Sequence, residues 1–512
     1  MLVKTFGAAL AGIDAILITI EVDISRGIRF FMVGLPDNAV KESQQRIESV
    51  FRVYDFEWPG KRIVINMAPA DTRKEGSAYD LPLAIGILAA DEQISNDKVS
   101  SFMMMGELSL DGSLKAIKGA LPMAISALSK GFTGMIVPSA NAREAAVVDG
   151  LKVYGADNIG QVIDFLNGSG NLQIAEVDAD AEFLKGVAVC EEDFSDVKGQ
   201  ESVKRALEVA AAGGHNLLMI GSPGSGKSML AKRLPSIMPP LELKEALETT
   251  KIHSVAGKIS GNVALLTQRP FRSPHHTISN VAMTGGGSFP QPGEISLAHN
   301  GVLFLDELPE FKRSVLEVLR QPLEDRQIFI SRSRYALDYP ASFMLIASMN
   351  PCPCGYYNHP EKTCVCSPAM VQKYLSRISG PLLDRIDLHI EVVPVPFSKM
   401  AEAPVSESSF TVRSRVIAAR KIQYERYSKF ENVHCNAQIN SKMLHKYAMP
   451  NEAGRILLKN AMEKLGLSAR AYDRILKVSR TIADLEGSDK IQSHHVAEAV
   501  QYRSLDRSGW AG

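Results

Sequence analysis

The sequence predicts an α/β protein built from three parts. Its 512 residues exceed what one compact core usually holds. Strand and helix patterns mix up to about residue 170, alternate regularly over 193–395, and give way to helices over 396–512. Regular alternation is typical of a parallel sheet covered by helices on both faces. We therefore expect an N-terminal α/β domain (1–170), a linker (171–192), a parallel-sheet domain and a C-terminal helical domain.

The N-terminal part shows the two-residue period of a half-buried strand between Ile16 and Val22. Gly168-Ser169-Gly170 and the acidic segment Glu176–Glu182 indicate where this domain ends and the linker follows. Further strands are predicted at Ile28–Val33 and Arg62–Asn66, and helices near 38–52, 79–91 and 118–130.

The central part contains short, continuously apolar runs, as expected for strands buried on both faces. They lie at Leu217–Ile220, Val302–Leu305 and Phe343–Ser348. After Pro394 and Pro396 the pattern is helical to about residue 503. Residues of one helix face recur there at i, i+3, i+4 spacing: Tyr472, Ile475, Leu476, Ser479, Ile482 and Ala483.

The composition excludes a mainly disordered chain, because 45% of the residues are apolar. The 57 basic residues equal the 57 acidic ones, which excludes a uniformly basic surface but not a local basic groove. Asp14 interrupts the apolar run from Phe6 to Ile20, so we expect neither a secretory signal nor a membrane span. The expected location is the cytoplasm.

A phosphate-binding loop is predicted after the first apolar run of the central part. Residues 221–228 match G-x4-G-K-[ST], with a strand before them and a helix pattern after them. Glycines let the backbone amides face phosphate oxygens at the helix N-terminus, and the alternative is a glycine-rich turn that matches by chance. We expect Lys227 to reach the β- and γ-phosphates of ATP and Ser228 to ligate Mg²⁺. The expected ATP-binding residues are Gly221, Ser222, Pro223, Gly224, Ser225, Gly226, Lys227, Ser228 and Met229.

Two further strand ends carry candidate catalytic residues. Asp306 and Glu307 follow an apolar run, and ligands bind at this end of strands in open α/β sheets. Asp306 is expected to hold Mg²⁺ and Glu307 to polarise the attacking water, although a solvated acidic turn is the alternative. Asn350 ends the next run, where it either orients the attacking water or forms a turn before Pro351.

Four of the six cysteines cluster at Cys352, Cys354, Cys364 and Cys366. Four thiolates are a common ligand set for structural Zn²⁺, although C-x-C spacing departs from the usual C-x₂₋₄-C. His359 could replace one thiolate. The alternative is a set of reduced cysteines in a surface loop.

The order of phosphate loop, Asp-Glu strand and strand-end Asn resembles that of AAA+ ATPases. Longer segments narrow the resemblance: Arg269–Thr277, Asn350–Gly355, Gly380–Asp387 and Leu467–Arg474. With them, essentially the whole chain resembles the magnesium-chelatase-like AAA+ proteins of the ComM/YifB family. The resemblance implies a homo-oligomeric ring, expected to be a hexamer, with ATP between neighbouring subunits.

The resemblance also implies roles for two arginines. Arg385 matches the arginine finger that reaches a neighbour's γ-phosphate; the alternative is an exposed arginine paired with Asp384 or Asp387. Arg470 matches the second sensor, which acts in cis or in trans. Arg474 lies one helical turn later, so the assignment between these two stays open.

Two insertions distinguish this branch of the superfamily, at Thr277–Asn300 and Gln327–Pro340. The second alternates like a hairpin and would bring Arg332 and Arg334 onto one face. In related DNA motors such hairpins project into the ring pore, so we expect sequence-independent, salt-sensitive DNA contacts. The alternative is an exposed hairpin whose arginines keep it soluble.

His275 and His276 stand just before the first insertion. Adjacent histidines are expected to project in different directions, so a shared metal is not favoured. We expect a structural role or a subunit contact.

The N-terminal part resembles the Lon-protease-like domain of this family, at Arg73–Asp80 and Gly106–Lys115. Lon proteases use a Ser–Lys dyad. Here the nucleophile position falls on Ala78, with Ser77 one residue short, so a shifted dyad stays open. We expect no peptidase activity and a platform for assembly or DNA contact.

The function implied by the resemblance is an ATP-driven ring motor that acts on DNA, of helicase or branch-migration type, in homologous recombination or natural transformation. Three alternatives remain. They are a chelatase-type motor that assists metal insertion, an ATP-dependent Lon-like peptidase, and a nucleotide-switched scaffold.

Overall fold

The computed structural model describes residues 2–187, 192–259, 263–287, 290–332, 335–357, 359, 361–395, 406–430 and 433–503. Arg334, a predicted DNA contact, and the predicted domain boundary at 396 lie outside these residues. Within the described part of the chain, we find no helix with the length and apolarity that a membrane crossing requires.

The N-terminal domain is a mixed α/β unit, as predicted. Its strands are β1 (Leu2–Ala11), β2 (Asp14–Ser25), β3 (Phe30–Val33), β4 (Arg62–Ala68), β5 (Phe102–Met104), β6 (Glu107–Leu108), β7 (Leu114–Lys115), β8 (Gly134–Pro138) and β9 (Lys152–Ala156). Its helices are α1 (Asn38–Lys41), α2 (Ser43–Val53), α3 (Asp80–Ala90), α4 (Ala120–Ser129), α5 (Ser139–Ala145) and α6 (Ile159–Asn167).

Seven of these strands form one sheet in the order β3-β4-β2-β1-β5-β8-β9. Strands β1 and β2 pair antiparallel, from Leu2 opposite Asp23 to Ala11 opposite Asp14. The apolar N-terminal run is therefore a two-stranded hairpin, of which only the second strand was predicted. Gly12 makes the turn possible because it takes a positive φ of 65°.

The predicted linker contains a helix, α7 (Ala179–Val187). Asp180 and Glu182 lie in its first turn, where negative charge stabilises a helix. Phe183 packs against an apolar cluster between the N-terminal and central domains. The acidic residues that indicated a linker thus begin a helix.

The central domain alternates strands and helices. Its helices are α8 (Glu201–Gly213), α9 (Lys227–Ile237), α10 (Leu243–Val255), α11 (Asn280–Thr284), α12 (Glu294–Leu297), α13 (Arg313–Glu317), α14 (Arg320–Asp325), α15 (Pro368–Leu375) and α16 (Gly380–Leu383). Its strands are β10 (Leu217–Gly221), β11 (Phe271–Arg272), β12 (Gly285–Gly286), β13 (Gln291–Pro292), β14 (Val302–Leu305), β15 (Gln327–Arg332), β16 (Tyr335–Pro340), β17 (Met344–Met349) and β18 (Leu388–Val392).

Five strands form the parallel sheet of this domain, in the order β11-β14-β17-β10-β18. The three apolar runs predicted as strands are β10, β14 and β17, and every residue in them is buried. Strands β15 and β16 pair antiparallel, which confirms the predicted hairpin. The carboxyl ends of β10, β14 and β17 therefore lie side by side.

The C-terminal domain is helical, as predicted. Helix α20 (Ala469–Leu485) exposes one face and buries the other against the central domain; its N-cap, Ser468, accepts a hydrogen bond from the Ala471 amide. The helices are α17 (Ser409–Tyr427), α18 (Ser441–Tyr447), α19 (Glu452–Leu465), α20 (Ala469–Leu485) and α21 (Ser493–Gln501).

Candidate active site

A cleft opens at the carboxyl ends of β10, β14 and β17. Its floor is the loop between β10 and α9, in which Gly224 and Gly226 take left-handed φ values of 77° and 91°. A Cβ on Gly221 would lie 2.3 Å from the Val392 carbonyl oxygen, so this position also needs glycine. The loop geometry thus explains the spacing of glycines in the predicted phosphate-binding motif.

Lys227 is the first residue of α9, directly after this loop, and it is buried. Its Nζ donates to the Gly221 carbonyl at 2.8 Å, the Ser222 carbonyl at 2.9 Å and Oδ1 of Asn350 at 3.3 Å. Burial lowers the pKa of Lys227, while the two carboxylates at the end of β14 oppose that effect. The contact with Asn350 brings together two residues that are 123 positions apart.

Ser228 and Asp306 meet at the side of the cleft. The Ser228 hydroxyl donates to Asp306 at 2.6 Å, and Ser348, at the end of β17, donates to the other oxygen of the same carboxylate. A hydroxyl and a carboxylate are the oxygen ligands that Mg²⁺ prefers beside a nucleotide. Ser348 was not predicted, since only the register of β17 beside β14 brings it to Asp306.

Glu307 faces the open side of the cleft, and its side chain is 58% exposed. Its backbone takes a left-handed φ of 53°, and its amide donates to Asp306 Oδ1 at 3.0 Å. The carboxylate lies 3.7 Å from Nδ1 of His276. The His275 and His276 rings lie 4.1 Å apart, so the expectation that they diverge is wrong.

The dimensions and chemistry of the cleft fit a nucleoside triphosphate. The cleft has a volume of about 380 Å³. Within the described chain, the buried hydroxyls of Ser222 and Ser225 have no hydrogen-bond partner, as expected for donors that await phosphate oxygens. Its lining comprises Pro223, Gly224, Ser225, Gly226, Lys227, Ser228, Met229, Asp306, Glu307, Ser348, Met349 and Asn350.

Gln200 is a further residue of this region that the sequence analysis missed. Its Nε2 donates to the Val393 carbonyl at 2.6 Å and the Ser225 carbonyl at 3.4 Å. Gly199 and Gln200 both take left-handed φ values, 65° and 62°. The Gly-Gln pair before α8 is a weak sequence signal for a residue near the nucleotide cleft. Its position there depends on contacts with the residue after β18 and with the phosphate loop.

Arg385 lies apart from this cleft and is buried. Its guanidinium donates to the Pro381 carbonyl at 2.6 Å and the Arg320 carbonyl at 3.2 Å, and it lies 2.7 Å from Glu324. It therefore pairs with Glu324 of α14 and with neither of the aspartates that were considered as partners. Those aspartates have partners of their own.

Helix α20 supplies both of those partners. Arg470 lies 3.0 Å from Asp384, and Arg474, one turn later, lies 2.9 Å from Asp387. The aspartates that precede and follow Arg385 in the sequence therefore both form ion pairs with α20. None of these three arginines lines the phosphate-loop cleft of its own chain, as far as the described residues extend.

The four clustered cysteines converge on one point. The Cys352 Sγ lies 3.3 Å from Cys354 Sγ and 3.7 Å from Cys364 Sγ, and the latter two sulfurs are 3.6 Å apart. Tetrahedral zinc with Zn–S bonds of about 2.3 Å separates its sulfurs by roughly 3.8 Å. Cys366 also lies within this group. The four thiols therefore fit Zn²⁺.

His359 does not join the cysteines. Its Nδ1 accepts from the Glu361 amide at 3.0 Å and the Lys362 amide at 3.1 Å. The cysteine loop nevertheless reaches the nucleotide cleft, because a Cβ on Gly355 would lie 2.4 Å from Pro223 Cδ. A metal at the cysteines would stiffen a loop that touches the phosphate-binding loop.

A second group of possible ligands comprises Glu486, His494 and His495. The His495 Nδ1 accepts from the Gln492 amide at 2.9 Å, so its Nε2 carries the proton that it donates to Glu486 at 2.9 Å. This ring has no free lone pair for a metal. The group is a hydrogen-bonded cap of α21.

The N-terminal domain lacks a Ser–Lys pair at the Lon-like segment. Ser77 donates its hydroxyl hydrogen to Glu107, and Lys74 donates to the Pro69 carbonyl. Burial lowers the pKa of Lys74, yet its ammonium is directed to a backbone carbonyl. The shifted dyad therefore has no support among the described contacts of these residues.

Comparison with known families gives three matches along the chain. The family model described as magnesium chelatase, subunit ChlI, matches residues 193–400, and that for subunit ChlI of Mg-chelatase matches residues 20–141. The model for the subunit ChlI C-terminal region matches residues 406–503. All three parts of the fold are thus covered.

Individual relatives agree with these matches. Competence protein ComM of Haemophilus influenzae is 45% identical over 98% of this chain and 97% of its own length. The uncharacterized protein YifB of Escherichia coli is 45% identical over 98% of this chain and 96% of its own length. Lon protease 2 of Bacillus subtilis is 29% identical over 28% of this chain and 27% of its own length.

Proposed function

Because the chain belongs to the ComM/YifB family of magnesium-chelatase-like AAA+ ATPases, we propose that it is a ring-forming motor that acts on DNA. The ring is a homo-oligomer, a hexamer, and its work is strand separation or branch migration during homologous recombination or natural transformation. The observation that carries the proposal is the position of the β15–β16 hairpin. In chain order it lies between β14 and β17, the two neighbouring strands whose carboxyl ends lead into Glu307 and Asn350.

Hydrolysis follows from the residues of the cleft. Loop amides and Lys227 bind the β- and γ-phosphates, and Glu307 accepts a proton from the attacking water while Asn350 orients it. The water oxygen bonds to the γ-phosphorus, and the bond to the bridging oxygen of ADP breaks. Ser228 and Asp306 would hold Mg²⁺, which would neutralise phosphate charge.

A neighbouring subunit supplies the arginine that contacts the γ-phosphate. No arginine of the described chain lines the cleft, whereas phosphoryl transfer gains about 10³-fold or more from an arginine at the γ-phosphate. Arg385 supplies that charge in trans after it leaves Glu324, which lies 2.7 Å away. Arg470 is the second sensor and also acts in trans, because it lies beside Asp384 next to the finger.

The hairpin contacts DNA through Arg332, the last residue of β15, and through Arg334. Such contacts neutralise backbone phosphates without reading sequence, and they weaken as salt rises. Each subunit adds its own hairpin to the ring, so a neutral chain acquires a basic collar. The exposed Phe329 adds an aromatic face on which a base can stack.

The test is the ATPase rate of the full chain with single-stranded, duplex or forked DNA, at two salt concentrations. We expect DNA to raise the rate several-fold, and less so at the higher salt concentration. Arg332→Ala/Arg334→Ala abolishes the increment and keeps the basal rate. Arg455→Ala/Lys459→Ala is the matched control, since it removes two exposed positive charges from α19. A rate that ignores every DNA form contradicts the proposal.

Metal insertion is the second candidate, and the matches to magnesium chelatase subunit models favour it. It predicts porphyrin metallation when the chain is mixed with chelatase partner subunits. Metallation without any response of the ATPase rate to DNA would favour the chelatase function over the DNA motor.

We further propose that the four cysteines hold a structural Zn²⁺.

A further inference from the structure

The N-terminal domain docks on α10 of the central domain. The Gly119 amide donates to the Ser254 carbonyl at 3.1 Å, and the Ser254 hydroxyl donates to Glu144. Glu144 is only 5% exposed, so this contact is sealed from solvent. About one turn earlier on α10, Lys251 Nζ lies 2.6 Å from Asp14, whose side chain is 73% exposed. Helix α10 is thus held at two points by one domain.

The same N-terminal domain also touches the hairpin. Gly12 lies in the turn between β1 and β2, and a Cβ there would lie 3.7 Å from Leu337 Cδ2 and 3.9 Å from the Asp338 carbonyl oxygen. Ile13 packs on the apolar cluster that contains Ile328. Residues 12–14, which we call the β1–β2 turn, therefore contact both the hairpin and α10.

The hairpin needs support from outside itself. Within the described chain, β15 and β16 form a sheet of two strands only, and an isolated two-stranded hairpin is marginally stable in water. One face is buried, through Ile328, Ile330 and Tyr339, whereas Phe329 on the other face is 53% exposed. Contacts on the buried side therefore decide where the exposed side points.

We propose that the β1–β2 turn is a positioning element that fixes the hairpin relative to α10, so that force on the hairpin passes into the N-terminal sheet. Asp14 pairs with Lys251 of α10. Gly12 lies beside Leu337 of the hairpin, and Ile13 packs on the apolar cluster to which the buried face of the hairpin contributes. The functional part of this inference rests on the proposed role of the hairpin in binding DNA. It gives the Lon-like domain a mechanical task that requires no peptidase chemistry.

The first test does not involve DNA. In Ile13→Ser, hydrogen–deuterium exchange of the amides in Gln327–Arg332 and Tyr335–Pro340 should accelerate at least fivefold. The matched control is Ile16→Ser, which removes an apolar residue of similar size from β2 that is 40% exposed. It should leave hairpin exchange unchanged. Equal exchange in Ile13→Ser and the unmodified chain overturns the positioning role.

The second test measures coupling. Ile13→Ser should keep the basal ATPase rate within twofold and lose at least four-fifths of the DNA-dependent increment, while Ile16→Ser keeps both. If the unmodified chain ignores DNA, the proposed function fails and the exchange test still decides the positioning role. If DNA stimulates both variants equally, the proposed function stands and the inference fails.

A charge exchange tests the link to α10. Asp14→Lys should place two ammonium groups together and reduce the DNA-dependent increment, and adding Lys251→Asp should restore most of it. A double variant that performs no better than Asp14→Lys alone overturns the claim that the turn joins α10 to the hairpin.

Discussion

The Arg474 guanidinium lies 2.9 Å from the carboxylate of Asp387, whose side chain is 1% exposed. Arg470, one turn earlier on α20, makes the corresponding contact with Asp384 at 3.0 Å, but Arg470 is 64% exposed. In the sequence, the two aspartates of these contacts lie on either side of Arg385. One of them is a buried structural link, and the other is a contact at the solvent-exposed surface.

The first prediction compares these two arginines. Arg474→Ala should lower the free energy of unfolding by about 3 kcal/mol, because it removes the cation that pairs with the buried Asp387 carboxylate. Arg470→Ala should cost less than about 1 kcal/mol, since water already solvates that contact. Urea denaturation followed by circular dichroism measures both. Equal losses of unfolding free energy in the two variants would contradict the distinction between a buried contact and a surface contact.

The second prediction concerns pH. Burial raises the pKa of Asp387, but the Arg474 guanidinium, the His215 ring 3.6 Å away and a hydrogen bond from the Asn216 amide outweigh it and hold the pKa well below its usual range. A carboxyl of this kind stabilises the fold above its unfolded pKa of about 3.9, and the gain is lost as pH falls through the folded pKa. The stability gap between the unmodified chain and Arg474→Ala should therefore narrow below about pH 4. A gap that stays constant from pH 3 to pH 7 would contradict this.

The phosphate-binding loop and the strands that end beside it were predictable because each is specified by residues that are neighbours in the sequence. Glycine spacing, a short apolar run and a polar residue after it are all properties of neighbouring residues, and the parallel sheet brings three such strand ends together. Ser348 and Gln200 were missed for the opposite reason. Their contacts with Asp306 and Ser225 depend on strand register and on a loop that closes from outside the sheet.

The arginines show the same limit. The motif indicated Arg385 but could not indicate Glu324, which comes from α14 and is 61 positions away in the chain. The choice between Arg470 and Arg474 also stayed open, since residues one turn apart look alike until the surroundings of each are known. The β1 strand was missed although Gly12 and Asp14, both turn-forming residue types, interrupt the apolar run.

The third prediction concerns the general base. Glu307→Gln should lower kcat for ATP hydrolysis by about 10²- to 10⁴-fold and leave nucleotide binding intact, because the amide cannot accept the proton from water. Glu310→Gln is the matched control. Its carboxylate pairs with Arg377 at 2.9 Å on the surface, so the rate should stay within about twofold. If the Glu307→Gln variant hydrolyses ATP at a near-normal rate, a residue other than Glu307 is the general base.

The fourth prediction concerns the cysteines. The purified chain should contain about one zinc per subunit, as measured by inductively coupled plasma mass spectrometry, and Cys354→Ser should lose it. Cys435→Ser should keep the metal, since Cys435 belongs to the C-terminal domain, is buried beside Gly214 and lies outside the cluster. Metal-free protein with four readily titrated thiols would favour the reduced-cysteine alternative.

The most direct test of a shared active site mixes two inactive variants. Lys227→Ala removes the phosphate-binding lysine and keeps the finger, whereas Arg385→Ala removes the finger and keeps the cleft. Each alone should lose most ATPase activity, about 10³-fold for Arg385→Ala. If Arg385 acts on a neighbour's nucleotide, mixed rings contain intact clefts beside intact fingers, and activity reappears on mixing. Mixtures that stay inactive, or an Arg385→Ala chain that keeps full turnover, would contradict the account.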